Sequence, residues 1–242
     1  MTASGPDQGA GGARRGPEGL AAALGEVARS LEDEGYLEST LDAIVHAAVR
    51  TVPGADHASI TMVRGRAAVQ SRASTSDTAL RQDQAQYRTG EGPCLDALYH
   101  RRTAHVPDLA AEPRWPRYAA EVAELGVRSL LSVQLFVTGD DLGALTLMAE
   151  RPRAFDEESE QVALLFAAHA AVAIVGAEKE DQLRDLLSSR DVVGQAMGIL
   201  MERYDLGSAR AFSVLVRLSR HSNRELIGLA LEVVRSKDIP AR

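Results

Sequence analysis

From Asp156 to Tyr204 the chain contains no proline and only three glycines, at 176, 194 and 198, and this run constrains the fold more than any other stretch. Proline would remove a backbone donor and clash with the preceding turn, so its absence over so many residues favours helix. Asp156 stands where an N-cap is needed, and Glu157 and Glu158 place carboxylates against the positive end of the helix. Along the run, residues suited to a seam recur at alternating three and four positions: Val162, Leu165, His169, Val172, Gly176, Lys179, Leu183, Leu186, Arg190, Val193, Met197 and Leu200. Two-stranded coiled coils use that spacing, which predicts a homodimer held from Leu165 to Leu200, with two separate helices as the alternative. One long helix would join the segments on its two sides and could transmit a rotation or a change of register between them.

The N-terminal side of this run reads as helices and then strands. Leu20, Leu24, Val27 and Leu31, then Leu37, Leu41, Ile44, Val45 and Ala48, keep helical spacing, with a break near Gly35. Ala58 to Val63 alternates with period two, as a half-buried strand does, and a second strand is expected around Ala67 to Ala73. Residues 75 to 88 read as a polar helix, Gly90 to Pro93 as a turn over a pocket, and Cys94 to His100 as a short helix. Thr103 to Val106 is expected as a strand, Pro116 to Leu125 as a helix and Val127 to Val137 as a longer strand. A turn from Thr138 to Asp141 then makes a hairpin with Leu142 to Ala149. This order describes an α+β sandwich on an antiparallel sheet.

The apolar stretch from Val162 to Ala177 is broken by His169 and reads as too short and too polar to cross a bilayer, so no membrane association is expected. Residues 1–17 read as a solvated tail without the apolar segment of a secretory signal. Cys94 is the only cysteine, which excludes an intrachain disulfide or a multi-cysteine metal cage and fits a reducing cytoplasm. The formal net charge of -7 conceals an asymmetry: residues 183–242 carry ten Lys and Arg against seven Asp and Glu, whereas the remainder carries seventeen against twenty-seven. Only the C-terminal part suits a polyanion.

That part reads as three helices. Gly194 and Gly198 each cost ~1 kcal/mol inside a helix, which suggests close approach by a partner helix or a nucleic-acid backbone. Gly207 is expected to end the first helix and Ser208 to cap the second, which buries Ala211, Phe212, Leu215, Val216 and Leu218 and turns Arg210, Arg217 and Arg220 outward. Ser222 to Glu225 reads as a capping box opening a third helix with Leu226, Leu229, Ala230 and Val233 inward.

These residues carry two family resemblances. Residues 18–175 resemble a GAF sensor domain, with Tyr87 to Leu98 (YRTGEGPCLDAL) similar to the family's Gly-x-Gly loop and its adjoining helix. Ser189 to Arg203 (SRDVVGQAMGILMER), with Ala211, Phe212, Leu215, Ser219 and Asn223, closely resembles the ANTAR family of RNA-binding antiterminators, placing that domain at 189–237 and a helical linker at 176–188. The fold implied is a GAF-like antiparallel sheet with helices, followed by a long helix leading into a three-helix ANTAR bundle. The resemblance implies binding to a pair of small RNA stem-loops, so that a terminator cannot form. Many members have lysine where this chain has Met197, which removes one phosphate contact and shifts the expected RNA contacts to Arg190, Gln195, Arg203, Arg220, Asn223 and Arg224, with Ala196 and Gly198 allowing close approach. RNA loops are read through unstacked bases, for which Gln, Asn and Arg supply hydrogen bonds and stacking.

Other readings are weaker on the residues. Some GAF-like domains reduce free methionine sulfoxide with several cysteines in relay, which Cys94 alone cannot do, and no enzymatic activity is expected. Cys94, between Pro93 and Leu95, has no activating cation and reads as a buried structural thiol. The six histidines show no ligand spacing, so no metal is expected. A ligand-sensing protein with a DNA-binding or protein-interaction tail is the alternative function, but only Asn223 and Arg224 precede the apolar residues of the third helix. A small molecule in the GAF-like part is a candidate partner, and the cofactor is not named by any motif.

Overall fold

The computed structural model describes residues 37–63, 69–100, 102–136 and 142–238, which divide into two units between Glu178 and Lys179. The expected tail, the helix from Leu20 and the hairpin turn at Thr138 to Asp141 lie outside the described residues. The first unit contains α1 (Leu37–Thr51), β1 (His57–Val63), β2 (Gln70–Ser74), α2 (Asp77–Thr89), α3 (Pro93–Tyr99), β3 (Thr103–Val106), a 3-10 turn (Leu109–Ala111), α4 (Pro116–Glu121), β4 (Ser129–Phe136), β5 (Leu142–Ala149) and the start of α5 (Glu157–Tyr204). The strands form one sheet in the order β2-β1-β5-β4-β3, with every neighbouring pair antiparallel.

Alternation along the strands makes two different faces. Ala58, Ile60 and Met62 of β1, Leu131, Val133 and Leu135 of β4, and Leu145, Leu147 and Ala149 of β5 point into one apolar cluster with Leu41, Ile44 and Val45 of α1. Phe166, Ala170 and Ile174 of α5 close that layer. The opposite face carries Ser59, Thr61, Ser132 and Thr146, all fully buried. β1 is therefore covered on both sides, and the half-exposed strand expected from its alternation is corrected: its polar positions lie under α2, where Ser59 meets Asp83 and Thr61 meets Tyr87, not in water.

α5 is a single helix of 48 residues, not two. Asp156 caps it as expected, its Oδ1 accepting the Ser159 N–H at 2.9 Å. By length and composition α5 could cross a membrane, contrary to the expectation that its apolar run is too short and too polar. The contacts of that run account for its composition, because Ala163, Phe166, Ala167, Ala170, Ile174 and Ala177 all belong to the sheet core.

The second unit combines the end of α5 with α6 (Ser208–Ser222) and α7 (Leu226–Ser236). Ala196 and Leu200 of α5, Ala211 and Leu215 of α6, and Ala230 and Val233 of α7 are its buried centre. Val193 and Met197 pack against the same centre, so the expected dimer seam does not continue to Leu200. An undistorted helix drifts by about 20° per heptad from a strict seven-residue repeat, so over the five heptads from Leu165 to Leu200 the two patterns part by roughly 100°.

The caps differ from expectation as well. Asp205, at φ 51°, takes the left-handed position that ends α5, and Gly207 stands at the N-cap of α6 with Ser208 already helical. The Ser222 hydroxyl donates back to Leu218 O at 2.7 Å, Asn223 is left-handed at φ 50°, and α7 begins only at Leu226. Ser222 to Glu225 is a helix-ending turn, not a capping box, because Asn tolerates the left-handed conformation that closes α6. Phe212, expected on the buried face, is 44% exposed.

Candidate functional site

In the first unit, the hydroxyls on the polar sheet face are in register. Ser59 pairs with Thr146 across β1 and β5, and Thr146 with Ser132 across β5 and β4. The Ser132 and Thr146 hydroxyls share a 3.0 Å hydrogen bond. Above this row, Asp83 of α2 accepts hydrogen bonds from Ser59 Oγ at 3.1 Å and Ser71 Oγ at 2.8 Å. No cation is among these partners, and burial pushes the Asp83 carboxyl up to about 7 against the opposing effect of the hydroxyls. Thr61 and Tyr87 share a 2.7 Å hydrogen bond beside it, and burial drives the Tyr87 phenol well above its ordinary range.

Two glutamines complete the layer. The Tyr118 hydroxyl donates to Gln82 Oε1, and the Cys94 N–H donates to Gln86 Oε1 at 2.7 Å. Gln82 Nε2 and Gln86 Nε2 are buried without a hydrogen-bond partner. A buried amide donor left unpaired costs ~1 to 3 kcal/mol, so each Nε2 is an unmet donor within this layer.

The loop from Gly90 to Pro93 is fixed from both sides. Gly90, at φ 71°, ends α2 with its N–H on Gln86 O at 2.8 Å. Gly92, at φ 145°, lies under the Gln86 side chain, and a Cβ there would sit 2.4 Å from Gln86 Oε1. Glu91 accepts the N–H of Arg117 at 2.6 Å and of Tyr118 at 3.1 Å. Partial desolvation raises the Glu91 carboxyl, but these backbone donors and the Arg117 guanidinium hold it below its usual range. Cys94 is fully buried, and its thiol is pushed up to about 12, chiefly by burial; it is the inert structural thiol the sequence suggests. Among the described residues no three His, Cys, Asp or Glu side chains gather to hold a metal.

In the second unit the expected RNA contacts are distributed over several surfaces. Arg190 is exposed at an open groove of about 470 Å³ lined also by Val193, Gly194, Met197, Phe212 and Leu226. Gly198 is exposed on the same side of α5, and Cβ atoms built at Gly194 and Gly198 meet nothing within 4 Å. Gln195 is exposed about 140° around the helix from Arg190. Ala196 is fully buried in the three-helix core, so it acts only by setting helix spacing. Arg203 donates to Asp238 at 2.8 Å and to Lys237 O at 3.1 Å. Arg224 is paired with Glu232 at 2.8 Å. Arg220 and Asn223 are exposed near the α6 to α7 turn.

The polar layer of the first unit was not legible as a site. Asp83, Gln82 and Gln86 read only as members of a polar helix, Ser59 and Thr61 as positions of a half-buried strand, and Ser132 and Thr146 as positions of a hairpin. The one signal was the number of hydroxyls at alternate strand positions.

Comparison with known proteins agrees with this architecture. The GAF domain family matches residues 36–175 and the ANTAR domain family residues 181–234. No curated protein sequence matches the chain. Among solved structures, the GAF domain of a phosphoenolpyruvate-protein phosphotransferase from Coxiella burnetii is 19% identical, with a TM-score of 0.51 over 68% of this chain and 98% of that one. Free methionine-R-sulfoxide reductase from Neisseria meningitidis, in complex with its substrate, is 16% identical, with a TM-score of 0.52 over 69% of this chain and 95% of that one. The phycoerythrobilin-bound GAF domain of a cyanobacterial phytochrome is 17% identical, with a TM-score of 0.50 over 68% of this chain and 96% of that one. At these identities the likeness is one of fold.

Proposed function

Because the chain belongs to the GAF domain family and carries a C-terminal ANTAR domain, we propose that it is an RNA-binding transcription antitermination regulator. In this reading the first unit is a sensor, and its state controls binding of paired RNA stem-loops by residues 189–237. The observation that carries it is the ANTAR match falling on the three-helix unit, within the stretch 183–242 that carries ten Lys and Arg against seven Asp and Glu. Arg190, Gln195, Arg203, Arg220, Asn223 and Arg224 are the contacts, with Ala196 and Gly198 setting the approach. Arg203 and Arg224 must exchange Asp238 and Glu232 for RNA, whereas Arg190 and Arg220 are already available.

The sensor's signal is a small polar molecule that satisfies Gln82 Nε2 and Gln86 Nε2 in the layer holding Asp83. Solved relatives of the fold carry a bilin or a substrate. The protein works as a cytoplasmic homodimer, with exposed Leu183 and Leu186 in the interface, and does no chemistry of its own. The test is transcription through a leader that encodes two hairpins ahead of a terminator. Added protein should raise read-through, and read-through unaffected by the protein would refute antitermination.

A further inference from the structure

α6, from Ser208 to Ser222, contains three arginines and one histidine and no acidic residue. Arg210, Arg217 and Arg220 are exposed, and none takes part in an ion pair among the described residues. This distinguishes them from Arg184, Arg203 and Arg224 of the same unit, which are paired with Glu180, Asp238 and Glu232. At about 100° per residue the three fall within an arc of roughly 80°, spread over ~15 Å of helix axis. Ala211 and Leu215, which bury the helix, face away from that arc.

Solvation alone does not account for this face. A cation at the C-terminal end of a helix is favoured by the helix dipole, which suits Arg220. Arg210 stands in the first turn, where the dipole disfavours it and where no acidic residue offsets it. An external anion would relieve both the dipole and the mutual repulsion of the three guanidinium groups. The spread along the axis suits a chain of phosphates rather than a single ion.

We propose that this face of α6 carries the phosphate backbone of a structured RNA, with Arg210, Arg217 and Arg220 as charge contacts and base reading left to residues elsewhere on the unit. The assignment rests on the RNA-binding reading and specifies where the backbone lies. It adds Arg210 and Arg217 to the interface and makes Arg220 a phosphate contact.

The test uses the full chain and measures affinity by fluorescence anisotropy across a potassium chloride series, for a two-hairpin RNA and for the same hairpins with scrambled loops. The Arg210→Gln, Arg217→Gln double variant should weaken both RNAs by the same factor and lower the slope of log K against log salt by about 0.7 to 0.9 per arginine removed. Replacing the same two residues with lysine should restore the slope. Ser213, exposed within the same arc, provides a gain: Ser213→Arg should steepen the slope by a similar amount. A double variant with wild-type slope and affinity, or a loss confined to the unscrambled RNA, would overturn the assignment. If the wild-type chain bound neither RNA, the RNA-binding reading itself would fail. An equal salt-dependent preference for duplex DNA would refute the choice of RNA.

Discussion

Asp83 reaches across from α2 to the middle of the sheet, where its carboxylate accepts a 3.1 Å hydrogen bond from Ser59 of β1 while lying wholly buried. The carboxyl is raised from 3.8 to about 7, with burial the main cause. In the unfolded chain it ionises near the lower value, so between about pH 4 and 7 the folded state holds a proton the unfolded state has released. Stability from this group is fully present below pH 4 and is lost as pH rises through 7. The loss is on the order of 4 kcal/mol, taken as an upper limit. Urea unfolding midpoints measured from pH 4 to 8 should fall for the wild type, and Asp83→Asn should remove most of that fall.

Gly92 and Gly194 should respond oppositely to alanine. At Gly92 the added Cβ would collide with Gln86, and φ of 145° disfavours any side chain. Gly92→Ala should therefore cost ~1 to 3 kcal/mol in chemical denaturation. Gly194 is helical with open space around it, so Gly194→Ala should stabilise the second unit by up to ~1 kcal/mol. If Gly194 is there for close approach of RNA, the same variant should bind RNA more weakly while unfolding later.

Leu186 and Leu200 both lie on the seam read from the sequence, but they have different surroundings. Leu183 and Leu186 are 61% and 67% exposed, and Leu200 is fully buried. Replacing Leu183 and Leu186 with Asp should give folded monomers by light scattering. Leu200→Ala should instead cost ~2 to 5 kcal/mol of stability and leave the association unchanged.

Local reading of the sequence reached some of these features and not others. Thr103–Val106 and Leu142–Ala149 were legible to the residue, because apolar alternation between turn residues has one strong solution. α4 was expected to reach Leu125 and stops at Glu121. Asn223 was read as part of a capping box, since sequence alone does not show which residue will turn left-handed. The polar layer was missed for a tertiary reason. Gln86 looks like a surface residue until α2 is laid on the hydroxyl row, and no periodicity reports which polar positions will be covered. The ANTAR match was legible because its residues succeed one another along the end of α5 and two short helices, whereas the polar layer of the first unit is assembled from distant segments.

Specific RNA recognition is tested most directly by binding of the full chain to a two-hairpin leader RNA against the same hairpins with scrambled loops, at one fixed salt concentration. Tighter binding to the native loops is expected. Arg190→Ala and Asn223→Ala should each weaken it by ~1 to 3 kcal/mol with helix content unchanged by circular dichroism, and Arg81→Ala in the first unit should leave it unaltered. Equal affinity for native and scrambled loops, insensitive to Arg190 and Asn223, would contradict specific RNA recognition and leave only a general affinity for polyanions.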